Sequence, residues 1–245
     1  AGTSGRLGVL DAAECPPTFG LDPGRVVAII AGGDRAFVRA VEGAEDSTDD
    51  GARAIEDARA CDRDIVCGIA ASGTTPFVRA ALRKAKSLGA TSALLHSNSR
   101  LAREDLEEVD HPILLDVGPE VVAGSTRMKC GTATKLAVQM LTTAAMIRAG
   151  KVYDNLMVDV VPTNRKLERR ACLLVSRLAR VDEGRALELL AAADWRVKVA
   201  VVLELAKTDA REAKRLLDEN DGHLRRALRA AGVAEDALPG SRAVD

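Results

Sequence analysis

Asp64-Ile65-Val66-Cys67-Gly68-Ile69-Ala70-Ala71-Ser72-Gly73-Thr74-Thr75-Pro76 reads as a strand at 64–69, a hydroxyl-rich turn, and the opening of a helix. Pro76 suits a first helical turn, where its missing N–H costs nothing. The helix continues in an amphipathic pattern to residue 88 and is closed by Gly89. Working outward, a strand follows at 92–95, a helix at 101–109 and a strand at 112–117. On the N-terminal side, residues 26–30 (Val-Val-Ala-Ile-Ile) are the unbroken apolar run expected of a parallel strand buried on both faces. A short helix at 35–42 ending on Gly43, and another at 51–60, separate that run from Asp64. Strands alternating with helices imply an α/β fold, a doubly wound parallel sheet. Ligands of such sheets bind beyond the carboxyl ends of the strands, where the hydroxyl-rich turns lie.

Beyond residue 117 a loop is expected at 118–127 and a long helix at 128–149, rich in Ala, Leu, Met and Thr. Its few charges point to burial in the core or against a second subunit. From Pro162 the composition changes to Arg, Leu, Ala and Glu at helical spacing, with helices at 166–178, 183–192, 196–207 and 209–220. The expected organisation is a ligand-binding α/β domain at 1–161, a small all-helical C-terminal lobe at 162–232, and a flexible tail at 233–245. Residues 7–13 read as a helix ended by Pro16-Pro17.

Composition narrows the function. The 245 residues carry 35 basic and 36 acidic side chains, a formal charge of −1, so nothing calls for nucleic acid or a membrane surface. Aromatics are only 2%, too few for stacking platforms. No run is apolar and long enough to span a bilayer, and no signal peptide is evident. Five scattered cysteines argue against a disulfide framework, and their spacing with three distant histidines does not spell a metal site. Buried free thiols are the plainer reading. His96, His111 and His223 read as structural or exposed; Trp195, Met128, Met140, Met146 and Met157 read as core.

Three stretches carry chemistry. Ala1 to Gly8 has small residues and the hydroxyls of Thr3 and Ser4 where a helix would begin, a ready cradle for phosphate. Gly2, Gly5 and Gly8 do not spell a dinucleotide loop, and no Walker lysine follows. Ser72, Gly73 and Thr74 lie between a strand and a helix start, where capping and phosphate binding use the same donors. Ser125-Thr126-Arg127-Met128-Lys129 repeats the arrangement with two cations, which could equally be solvated surface charges. Glu14 and Glu45 add two carboxylates after the first cradle. Taken singly, each would be an ordinary surface glutamate.

These blocks, together with residues 11–17, 41–47 and Asn155-Leu156-Met157-Val158-Asp159-Val160, resemble the N-acetylmuramic acid 6-phosphate etherases, from Ala1 to about Leu228. The resemblance implies the sugar isomerase (SIS) fold and a cytoplasmic carbon–oxygen lyase of peptidoglycan recycling. It implies cleavage of the D-lactyl ether of N-acetylmuramic acid 6-phosphate to N-acetylglucosamine 6-phosphate and D-lactate, with no cofactor required. Glu14 and Glu45 coincide with that family's two catalytic glutamates. Thr3, Ser4, Gly5, Ser72, Gly73, Thr74, Ser125, Thr126 and Lys129 fall where its phosphate is ringed.

In the family a helical segment and a strand precede the first cradle, so the sequence reads as a member lacking its N-terminal part. A gap in the central sheet, with low solubility or low activity, is the expectation that follows. SIS domains commonly pair, so a homodimer is expected. Two other readings stay open: a sugar-phosphate-sensing protein like the glucokinase regulatory protein, which would be expected to need a second SIS domain, or a sugar-phosphate isomerase. A SIS-type transcription regulator would need a basic DNA-binding segment, which is not evident.

Overall fold

The computed structural model describes residues 1–239. By internal contacts the chain falls into two compact units, Ala1–Ala13 with Gly24–Leu141, and Glu14–Pro23 with the chain from Thr142 onward. In the first unit lie most of α1 (Gly2–Phe19), α2 (Arg35–Val38), a 3-10 turn (Ala44–Asp46), α3 (Thr48–Asp57), β1 (Ile65–Ile69), α4 (Pro76–Ser87), β2 (Thr91–His96), α5 (Arg103–Glu107), β3 (His111–Leu114) and the start of α6 (Lys129–Arg148). The strands form a parallel sheet in the order β1-β2-β3, Ile65 opposite Thr91 and Ala93 opposite His111.

Side-chain alternation along β2 explains the layers. Leu94 points into a cluster with Phe77, Val78 and Leu82 of α4, while Leu95 packs with Ala137 and Val138 of α6. Helices therefore cover both faces, the doubly wound arrangement expected. Arg79 of α4, only 5% exposed, ties α4 to α5 through Glu108 Oε2 at 2.6 Å and the Asp105 carbonyl at 2.8 Å.

Two local expectations are corrected. The opening is helical from Gly2, and α1 runs through Pro16 and Pro17 to Phe19 instead of stopping before them. Small residues permit this close packing: a Cβ on Gly5 would lie 2.7 Å from Ile30 Cγ1, and one on Gly8 3.2 Å from Ile69 Cδ1. Each proline lacks the N–H that would bond to the carbonyl four residues back, and because both stand in the last turn only the end of the ladder is interrupted. Gly20, at φ +60°, closes the helix by donating to the Pro16 carbonyl at 2.9 Å. Residues 26–30 carry no regular secondary structure and pair with no strand among the described residues, and Val27 is 61% exposed. An apolar run becomes a sheet strand only where a neighbour accepts its backbone bonds.

The second unit holds the ends of α1 and α6 and a short hairpin, β4 (Val152–Tyr153) and β5 (Leu156–Met157). It continues through α7 (Arg165–Ala179), α8 (Glu183–Ala192), α9 (Val197–Leu205), α10 (Ala210–Asp218) and α11 (Leu224–Ala230). Asn164, Asp182 and Asp209 each cap a helix by accepting a backbone N–H three residues on. Val175, Leu190, Val201 and Leu228, all fully buried, form its core. Lys198 is held within the unit by Asp159 Oδ2 at 2.8 Å and the Gly222 carbonyl at 2.8 Å. Leu238 is buried, and the Tyr153 hydroxyl donates to the Pro239 carbonyl at 2.7 Å, so the chain is tied down to that point. The remainder of the expected tail lies outside the described residues.

Candidate active site

Thr3, Ser4 and Gly5 stand on the first turns of α1 rather than in a loop. A helix start carries unpaired amides and the positive end of the dipole, as the expected cradle would need. Thr3 and Ser4 are half-buried and Gly5 is buried.

Ser72, Gly73 and Thr74 form the turn from β1 to α4. Gly73, at φ +74°, donates to the Ala70 carbonyl at 2.9 Å, and a Cβ there would meet Leu101 Cδ2 at 2.7 Å. Only glycine fits such a position without strain. Ser72 Oγ accepts from the Thr74 amide and the Thr74 hydroxyl, both at 3.2 Å, and the two side chains are exposed. The turn is braced from β2: the Asn98 side-chain amide donates to the Ser72 carbonyl at 3.1 Å, and the Ser97 N–H to the Ala71 carbonyl at 2.9 Å. Beneath Gly73 sits His96, 4% exposed, with Nδ1 unpartnered. Burial holds its pKa below the ordinary histidine value, against a backbone bond to Asn98.

Ser125 and Thr126 precede α6, Ser125 half-buried and Thr126 exposed. The Lys129 ammonium folds back onto the Pro119 carbonyl at 3.0 Å. A Cβ on Gly131, in the first turn of α6, would lie 3.5 Å from Thr3 Cγ2 and 3.7 Å from the Thr126 carbonyl oxygen. The start of α1 and the loop before α6 therefore adjoin.

Glu45 is exposed on the 3-10 turn. That turn packs against α4, and Ala44 joins Ala1 and Leu101 around Ala70 and Phe77. Ala1 and Glu45 lie near each other. Glu45, the start of α1 and the Ser72 turn are thus neighbours within the first unit. Glu14 is exposed on α1, next to buried Cys15, and belongs with the second unit.

Two residues escaped the sequence reading. Asn98 follows β2 in an ordinary Ser-Asn-Ser turn. Glu120 accepts the Lys129 and Cys130 amides from nine and ten residues upstream, too far for a capping-box pattern. Met128 and Met140, expected in the core, are 57% and 64% exposed. All five cysteines are free; Cys15, Cys130 and Cys172 are buried, and burial pushes the Cys67 thiol up to about 11. Among the described residues no helix is long and apolar enough to cross a membrane.

The family model of the glucokinase regulatory protein N-terminal SIS domain matches residues 1–86. Similarity to whole enzymes extends much further. N-acetylmuramic acid 6-phosphate etherase of Aliivibrio fischeri is 49% identical over 228 residues, 93% of this chain and 75% of the relative. N-acetylmuramic acid 6-phosphate etherase 1 of Bacillus licheniformis is 48% identical over 228 residues, covering 93% and 74%. The Synechococcus elongatus etherase is 50% identical over 230 residues, covering 94% and 74%. With a SIS-type α/β unit and this similarity along nearly its whole length, the chain belongs to the N-acetylmuramic acid 6-phosphate etherase family.

Proposed function

We propose that this protein is a cytoplasmic carbon–oxygen lyase that converts N-acetylmuramic acid 6-phosphate and water into N-acetylglucosamine 6-phosphate and D-lactate. The observation that carries the reading is the 49% identity to an etherase across 93% of the chain. Supporting it, hydroxyl-bearing helix starts and Glu45 adjoin in the first unit. Thr3, Ser4, Ser72, Thr74, Ser125, Thr126 and Lys129 hold the phosphate, with Gly5 and Gly73 allowing close backbone approach.

In the open-chain sugar the aldehyde acidifies the proton on carbon 2. Glu45 takes that proton, the C2–C3 double bond forms, and the C3–O bond breaks toward lactate, whose oxygen Glu14 protonates. Glu14 then takes a proton from water as it adds to carbon 3, and Glu45 returns a proton to carbon 2. The roles require opposite protonation states at one pH. The phosphate clamp fixes carbons 2 and 3 and turns remote binding into orientation.

Solvent-deuterium incorporation at carbon 2 separates the two glutamates. Glu14→Ala is expected to retain exchange at carbon 2 and lose lactate release, whereas Glu45→Ala loses both. Cleavage surviving in either variant contradicts its assigned role. The sugar-phosphate sensor is the alternative that the domain match over residues 1–86 raises, and the whole-length similarity to etherases weighs against it. Lactate release by the unmodified chain decides against it.

A homodimer completes the proposal. Leu136 and Met140, one helical turn apart on α6, are 51% and 64% exposed, a surface suited to a second copy. Light scattering is expected to give twice the chain mass; a monomer at working concentration contradicts it.

A further inference from the structure

A helix leaves its first backbone N–H groups without intrahelical partners, and its dipole draws an anion to them. In α6 two of those donors are taken. The Lys129 amide donates to Glu120 Oε2 at 3.0 Å and the Cys130 amide to Oε1 at 2.9 Å. These bonds, that of Cys130 first, hold the Glu120 carboxyl below the ordinary glutamate range, so it is ionised at neutral pH. The Lys129 ammonium closes the same segment onto the Pro119 carbonyl at 3.0 Å, and the Ser125 amide donates to the Val122 carbonyl at 3.0 Å. Residues 119–129 therefore form a loop pinned at both ends, with Ser125 and Thr126 inside it.

We propose that Glu120 is a positioning residue: its carboxylate occupies the α6 N-terminus in place of the substrate's phosphate and so fixes Ser125 and Thr126 as hydroxyl donors. The inference rests on the etherase reading. Charge decides the division of labour. A phosphate monoester carries roughly −1.5 to −2 at neutral pH and cannot share two amides with a carboxylate. With Glu120 seated, phosphate is left with the starts of α1 and α4 and with the hydroxyls and the Lys129 ammonium of the pinned loop. Glu120 touches no reacting atom, so its removal acts on binding before it acts on chemistry.

The test compares unmodified chain, Glu120→Ala and Glu120→Gln. Lactate release gives kcat and KM, calorimetry gives Kd for N-acetylglucosamine 6-phosphate and for inorganic phosphate, and thermal melting monitors the fold. Glu120→Ala is expected to raise KM and Kd for the sugar phosphates by about tenfold or more, with kcat changed far less. Glu120→Gln, keeping one acceptor oxygen, is expected to fall between. Unchanged KM overturns the inference, and so does a loss confined to kcat. Tighter inorganic phosphate binding by Glu120→Ala also overturns it, because Glu120 would then be a competitor for the phosphate seat. If Glu120→Ala does not fold, Glu120→Gln decides: weakened sugar-phosphate binding supports the role and full affinity overturns it. Absence of lactate release from the unmodified chain sinks the etherase reading instead, while the phosphate affinities still report on Glu120.

Discussion

A Cβ on Gly51 would lie 2.2 Å from the Phe77 carbonyl oxygen and 3.0 Å from its carbon. The obstruction is backbone at the start of α4, which cannot swing aside as a side-chain tip can. Gly51→Ala must push α3 away from α4, and α3 follows directly on the turn that carries Glu45. The expected cost is about 1–3 kcal/mol, read as a lower urea midpoint, with activity falling as Glu45 is displaced from the Ser72 turn. Asp110 makes a different kind of prediction. Its carboxylate accepts from the hydroxyl of fully buried Ser92 at 2.6 Å and from the Ser92 amide at 2.9 Å, which with Lys86 hold its pKa down to about 2. The folded value lies below the ordinary 3.8. The stabilisation is therefore complete above that value and lost as pH falls through about 2. Urea midpoints between pH 5 and pH 2 are expected to fall less steeply for Asp110→Asn than for the unmodified chain; parallel curves contradict this.

Among the elements, β1, α4, β2 and α8 were legible because local and tertiary signals agree there. Pro76 opens α4 and Gly89, at φ +85°, follows its end, while β2 lies between two helical layers and is apolar throughout its middle. α1 was not legible. Gly2, Gly5 and Gly8 look like a loop, and only the nearness of Ile30 and Ile69 shows why small residues stand on a packed helix face. Residues 26–30 failed in the opposite direction, their pattern being that of a strand with no paired neighbour among the described residues. The hydroxyl turn at Ser72 could be read because its donors are local. The brace from Asn98 and the carboxylate of Glu120 could not, because each reaches across a loop that sequence spacing does not reveal. Helix caps belong to the legible class and can be tested as such. Asn164→Ala removes the acceptor of the Leu167 amide and is expected to cost about 1 kcal/mol in the unfolding of the second unit. An unchanged urea midpoint contradicts that role.

At the scale of the molecule, each unit has its own core, one built on a sheet and one on helices. The first contains the hydroxyl-bearing helix starts and Glu45, and Glu14 belongs to the second. The account stands on one chemical event, rupture of the bond between carbon 3 and the ether oxygen by elimination, followed by water addition. Turnover of N-acetylmuramic acid 6-phosphate in oxygen-18-labelled water reads that event directly by mass spectrometry of both products. The account predicts the label in the carbon 3 hydroxyl of N-acetylglucosamine 6-phosphate, with unlabelled D-lactate retaining the ether oxygen. Label in the lactate hydroxyl with none in the sugar, or no lactate at all, would contradict it.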